Sequence, residues 1–468
     1  MTIRFNMTTA QQAALDQLLA DLQDPASPRY HQWLTPAQFG AQFGLSSADI
    51  AQVTAWLTSQ GFTVTGVANG GTFITFDGTV AQANVAFSTS IHTLSIGGET
   101  HFANVTNPSV PGAFANVVGT ITGLHDFHPR PRIRASAVRP QFTSSLSGSH
   151  YLAPGDIYTI YDVSPLLTAG TNGAGIGTGA NCHSVPTGTT CGDIAVTGAV
   201  DLYNTGTTTT PVYADIVAFR SASGLSTTNL PTTVHEGADP GNPRTCANCF
   251  PNDSDLEEAS LDVEWSGAMA PSAAILFVNG PDIFNNAMTQ AIDQNLAPIV
   301  TTSYGFCEAG EGTSEINTLN QLFKQANAQG QTVLAAAADD GATDCDAGTS
   351  AIEGLAVDFP ASSPYVTGMG GTMFSQSSAY WGATNNVNSG SAVSYIPESV
   401  WDEDSTGNTF SASGGGPSAF FTKPAWQVET GPAGMTSLVL ADASRDVPDL
   451  SLDAASGAAD SPYLLCFL

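Results

Sequence analysis

Residues 255–271, DLEEASLDVEWSGAMAP, place a dense set of acids inside a segment that otherwise reads as a buried helix. Glu258 and Asp262 stand four residues apart, so on a helix they share one face. Trp265 and Met269 continue that face, which predicts that it is buried. Ser254 followed by Glu257 matches a capping box, and Pro271 marks the helix end. The stretch has neither Lys nor Arg, whereas a solvated acidic face is usually interspersed with them. Two close carboxylates in a low-dielectric site do not both ionise readily. One keeps its proton, and the pair can then serve as acid and base. Spacing alone leaves two readings open, a proton-sharing dyad or an acidic helix face in water. Glu257 and Glu264 are assigned to the solvated side.

The elements that must position such a pair belong to a chain of 468 residues, long enough for two or more domains. Apolar residues make up 42% and charged residues 11%, a globular rather than disordered balance. Acids outnumber bases 41 to 11, a formal charge of −30. Nucleic acid and anionic lipid both need a basic face, so neither is expected as a partner. An acidic surface loses its self-repulsion as carboxylates protonate, which suits low pH. No apolar run is long enough to predict a membrane span, and no signal peptide is visible.

There are seven cysteines. Cys182 and Cys191 flank a Gly/Thr/Pro loop. Cys246 and Cys249 form a CxxC with no second CxxC to complete a zinc site. Cys307 and Cys345 each follow a predicted strand, and as neighbours at strand ends they are the expected disulfide. Cys466 is left over. Loop cysteines in a Gly/Thr-rich chain point to an exported, extracellular protein.

Leu15, Leu18, Leu19 and Leu22 predict a helix over residues 8–23, directly after MTIRF. DPASPRYHQWLTP reads as a turn. Ser47 is placed as the cap of a second helix, with Ile50, Val53 and Leu57 inward and Gly61 as its stop. Short strands and a helix near 79–87 complete a small α+β domain, residues 1–125. Residues 126–150, DFHPRPRIRASAVRPQFTSSLSGSH, read as a linker and an exposed cleavage region. From Tyr151 the texture is α/β, with apolar runs ending in Gly or Asp: GDIAVTGAVD, YADIVAFR, AAILFVNG, APIVTTSYG, QTVLAAAADDG and YVTGMGGT. That pattern predicts a doubly wound, mostly parallel sheet over 151–468. Functional groups in such sheets gather beyond the carboxyl ends of the strands, where SYGFCE and DDGATD fall.

EASLDVEWSGAMAPSAAILFV resembles the catalytic helix and following strand of the sedolisins, the kumamolisin-like serine-carboxyl peptidases. DPASPRYHQWLTPAQFGAQFG and VTAWLTSQGFTV resemble that family's activation prodomain. LAPIVTTSYGFCE, AAADDGATDCD, DFPASSPYVTGMGGT, SASGGGPSAFF and RDVPDLSLDA resemble later family blocks, in family order along most of the chain.

The resemblance implies a subtilisin-like catalytic domain behind a ferredoxin-like prodomain that acts as an intramolecular inhibitor. It implies a Ser/Glu/Asp triad with a further Asp in the oxyanion hole. Glu258 matches the base, Asp262 the acid that orients it, and Asp339 the oxyanion-hole Asp. A carboxylate still accepts a serine proton at acidic pH, where His would already be charged. Asp339 is followed by Asp340 and preceded by Ala338, where the family more usually has Ser and Gly. Ser303, Tyr304 and Gly305, with the Gly414–Gly415–Gly416 run, resemble substrate-cleft backbone. The family's nucleophile sits in a Gly-Thr-Ser block after PDLSLDA, and its calcium ligands lie further on, so the serine and the calcium site are expected beyond residue 468, with no metal ligands in this chain. The Gly-Thr-Ser-Ala at 348–351 lies in a variable loop of the family, which disfavours Ser350. The expected protein is therefore an acid-acting endopeptidase zymogen, a monomer cutting protein or peptide substrates. Alternatives are a catalytically inactive scaffold of the same fold or a glycosidase. The second fits poorly, because acids four apart on one helix do not flank a sugar from both sides.

Overall fold

A computed structural model describes the chain except residues 97–98, 128, 132–150, 171–172, 178–180, 186–187, 208–209, 246–252, 311, 347–349, 376, 405–409, 429–440, 456–460 and 468. Most of the expected linker and the Cys246/Cys249 pair lie outside the described residues. The chain forms two compact units.

The first unit comprises Met1–His128 with Thr289–Asn295 and Gly312–Gln331. Its elements are β1 (Thr2–Phe5), α1 (Thr9–Gln23), α2 (Pro36–Phe43), α3 (Ser47–Ser59), β2 (Thr63–Val67), β3 (Phe73–Asp77), α4 (Val80–Ala86) and β4 (Val118–Thr122). The strands form an antiparallel sheet in the order β2-β3-β1-β4. With α3 and α4 as the two connecting helices, this is the ferredoxin-like βαββαβ arrangement. MTIRF is thus a central strand, not a lead-in, and Ile3 is fully buried. Three helices open with the same reciprocal cap, Thr8 with Gln11, Thr35 with Gln38 and Thr79 with Gln82. The cap of α3 is Ser46, whose hydroxyl accepts from the Asp49 N–H. Ser47 is already helical, and α3 is the third helix because Thr35 starts α2 inside a Pro-punctuated stretch. Leu15, Leu18 and Leu22 of α1 pack with Phe39, Phe43 and Ala328 in one apolar cluster. Ala328 ends the helix Thr313–Ala328, so part of this core comes from far along the chain.

The second unit is built on β5 (Ile194–Gly198), β6 (Thr232–His235), β7 (Ile275–Asn279), β8 (Ile299–Thr302), β10 (Thr332–Ala336), β11 (Thr367–Phe374) and β12 (Leu450–Asp453). These pair in parallel in the order β6-β7-β5-β8-β10-β11-β12. Strand Glu398–Val400 joins β11 antiparallel. This is the subtilisin-like, mostly parallel α/β sheet. All five residues of β7 are buried, which accounts for its unbroken apolar run. Two helices matter for the site, α5 (Ala214–Ala222) and α6 (Asp253–Met269). YADIVAFR is therefore helix rather than strand. Its buried residues are Asp215, Ile216, Phe219 and Arg220, at helical spacing, and Arg220 donates to the Gly267 carbonyl at 3.0 Å. β6 carries no strong apolar signal and is not apparent in the sequence.

Candidate active site

Helix α6 is anchored by Leu256, Ala259 and Val263, which pack into the core with Val196, Ile275 and Phe277. One residue before each anchor stands an acid: Asp255, Glu258 and Asp262. The i, i+3, i+7 spacing of the anchors fixes the rotation of the helix, and the acids follow as a second stripe about 100° away. The helix begins at Asp253, so Ser254 lies in its first turn and is not its cap. It ends at Met269, two residues before Pro271.

Glu258 is 1% exposed, and its Oε2 has no hydrogen-bond partner among the described residues. Burial holds its proton affinity well above the ordinary carboxyl range, and the charges of Asp262 and Asp339 add to the effect. Asp262 keeps some surface, but its Oδ2 is buried without a partner. Burial pushes its pKa up to about 7, against the opposing hydrogen bond from Ser303. The Ser303 hydroxyl donates to Asp262 Oδ1 at 2.8 Å. Ser303 follows β8 directly, beyond the carboxyl edge of the sheet. Its side chain, rather than its backbone alone, meets the acids. Glu264 is 1% exposed and accepts from the Cys466 N–H at 3.0 Å, so it is buried and not on a solvated face. It lies too far round the helix to share the stripe of Glu258.

Strand β9 (Tyr304–Cys307) continues directly from Ser303. One edge pairs with Asp358–Phe359 and the other with Arg130–Pro131, in the register Tyr304 to Pro131 and Gly305 to Arg130. A Cβ at Gly305 would lie 2.0 Å from Asp358 Oδ1, so only glycine fits there. The Tyr304 hydroxyl turns back to α6 and donates to Asp255 Oδ1 at 3.1 Å. Cys307 and Cys345 are joined by a disulfide with Cα atoms 5.0 Å apart, as Cys182 is to Cys191.

Asp339 lies three residues past β10 and close enough to Glu258 to raise its proton affinity. Ala338 before it has φ +80°, a conformation that favours glycine. The Ala338 carbonyl accepts from the Gly414 N–H at 2.8 Å. A Cβ on Gly414 would stand 1.7 Å from the Ala337 carbonyl oxygen, and one on Gly415 would be 2.8 Å from that of Val447. These two glycines therefore serve close packing of the chain on itself next to Asp339. Ser350 is exposed, and Asp346 accepts the Ile352 and Glu353 N–H groups.

The structure brings together Glu258, Asp262, Ser303, Tyr304 and Asp339. Sequence reasoning missed Asp255 and the roles of the two hydroxyls, although the position of Asp255 three residues before Glu258 was a readable signal. If Ser303 orients Asp262, Ser303→Ala should lower activity about tenfold without abolishing it. A peptidase rate assay of the folded variant checks this, and an unchanged rate would remove Ser303 from the positioning of Asp262.

A parallel α/β sheet with buried carboxylates in place of an imidazole at its carboxyl edge is the scaffold of a serine-carboxyl peptidase. Residues 1–127 match the family described as pro-kumamolisin, activation domain. The chain is similar to sedolisin of Pseudomonas sp. (strain 101), 29% identical over 95% of this chain and 69% of that protein. It is similar to xanthomonalisin of Xanthomonas sp. (strain T-22), 30% identical over 95% of this chain and 52% of that protein. A solved structure of Pseudomonas sedolisin, complexed with two molecules of pseudo-iodotyrostatin, matches with 26% identity and a TM-score of 0.44, over 66% of this chain and 72% of that one. Residues 1–127 thus carry the match to the activation domain, and the chain is similar to sedolisin and xanthomonalisin along 95% of its length.

Proposed function

We propose that the protein is the zymogen of an acid-acting serine-type endopeptidase. Glu258 takes the proton of the attacking serine hydroxyl as its oxygen bonds to the scissile carbonyl carbon, and later returns that proton to the leaving amine. Asp262, held by Ser303, orients Glu258. Asp339, protonated in acid, donates to the developing oxyanion. The serine is proposed to come from a Gly-Thr-Ser block C-terminal to residue 468. The observation that carries this reading is the Glu258–Asp262 pair at the carboxyl edge of the sheet, with Glu258 buried and Asp262 accepting from Ser303.

Residues 1–125 act as the inhibitor and 126–150 as the cleavage region. The pairing of Arg130–Pro131 with β9 supports that part, since it lays the linker along the strand beside the acids as a substrate would lie. Among the described residues no cluster of three or more His, Cys, Asp or Glu is arranged to hold a metal ion. Calcium, implied by the family resemblance, is proposed for a site C-terminal to residue 468, and no step passes through it. No helix among the described residues is long and apolar enough to cross a membrane. An extracellular, monomeric enzyme acting on proteins or peptides fits the two disulfides.

The test is incubation of full-length zymogen across the acid range, from about pH 4 upward, where a carboxylate base replaces a histidine that would already be charged. The expected result is a cut between residues 126 and 150, followed by activity on casein. An intact linker and no activity would leave the acids a binding role on an inactive scaffold.

A further inference from the structure

The acid stripe on α6 has a third member that the mechanism above does not use. Asp255 is 2% exposed, three residues before Glu258 and seven before Asp262, so all three carboxylates lie on one side of the helix. The Tyr304 hydroxyl donates to its Oδ1 at 3.1 Å. Tyr304 is itself 1% exposed and begins the strand that pairs with the linker. A single hydroxyl thus ties the first turn of the acidic helix to the first residue of β9.

We propose that Asp255 is a positioning residue of this site, which holds Tyr304 in place and sets the charge against which Glu258 takes up and releases its proton. The inference rests on the endopeptidase reading above. The groups facing Glu258 are Asp255 and Asp262 from its own helix, Asp339 from beyond β10, and Ser303, and none of these is a cation. Tyr304 faces Asp255, Glu258 and Asp262 together, and their charges add to burial in keeping its phenol protonated. The hydroxyl therefore stays a donor at every working pH. A negative charge at Asp255 makes ionisation of Glu258 harder, and it acts through a short buried path rather than through water. Removing that charge shifts the ionisation of Glu258 toward lower pH.

The experiment compares wild type, Asp255→Asn and Tyr304→Phe as full-length zymogens, following linker cleavage and casein hydrolysis across the acid range. Asp255→Asn is expected to move the acidic limb of the rate profile down by about half a pH unit or more. Tyr304→Phe takes a donor from the Asp255 carboxylate, which raises that group's proton affinity and reduces its charge in acid. It is expected to move the limb in the same direction by less. If both variants lose rate but keep the limb within about 0.2 unit of wild type, Asp255 is only structural and the proposal fails. Should Asp255→Asn not fold, the Tyr304→Phe limb alone decides. An inactive wild type would instead overturn the endopeptidase reading, so the two failures are distinguishable.

Discussion

Glu258→Gln zymogen held at about pH 4 should stay folded and leave its linker uncut, with cleavage slowed about 1,000-fold or more. Gln keeps the length and shape of Glu258 and most of its packing. It cannot accept the serine proton, so the nucleophile is left as a neutral hydroxyl. The rest of the site remains, and Asp339 would still bind an oxyanion, so some residual rate above water is expected. The measurement is the time course of linker cleavage, with thermal melting to establish that the variant folds. Rapid cleavage by folded Glu258→Gln would remove Glu258 from the base role and leave Asp262 as the remaining acid in contact with a hydroxyl.

The second large effect concerns stability. Asp262 is raised from 3.8 to about 7, and Glu258 is raised well above 4.5, in both cases chiefly by burial. Glu264, Asp156 and Asp201 of the same unit are raised as well, again chiefly by burial. In each case the folded protein holds a proton that the unfolded chain releases at lower pH. The stabilisation is complete below the unfolded values and is lost as pH rises through the folded ones. For Asp262 this tilts stability by roughly 1.4 kcal/mol per pH unit between about pH 5 and about pH 7, downward as pH increases, and the other raised acids add to the fall with the same sign. Urea midpoints of the full-length protein should therefore fall across that window. In Glu258→Gln/Asp262→Asn the fall should be shallower, because two of the protons no longer exchange. Midpoints that rise with pH would contradict the burial of these acids. The same sign favours a protein that works in acid.

Much of the site was legible because its signals are local. Glu258 and Asp262 at helical spacing, with no base nearby, mark a candidate acid pair, and the resemblance of the surrounding segment decides between a dyad and a solvated face. The unbroken apolar runs of β7 and β10 mark buried parallel strands. What was not legible depends on partners far along the chain. Glu264 looks like a solvated acid until the Cys466 N–H is found against it. YADIVAFR has the composition of a strand, and its helical state follows from Tyr213 and Ile216 meeting the core that α6 also fills, with Phe219 against Trp265 of α6. MTIRF is a central strand only because β3 and β4 flank it on either side. Ser303 and Tyr304 were visible as cleft residues by resemblance, but the direction of their hydroxyls toward Asp262 and Asp255 is a tertiary fact.

The two-residue strand Arg130–Pro131 has a consequence for how such a protein would be switched on. Two paired residues make too few main-chain bonds to hold a free peptide on an edge for long. Held by the chain on both sides, the same strand is present at an effective concentration in the millimolar range, and a dissolved peptide must reach a comparable level to displace it. One cut in the flanking chain changes that arithmetic without touching the strand. The contact becomes an ordinary bimolecular one and dilutes away, so the bond that is cut need not be the one that lies along the acids.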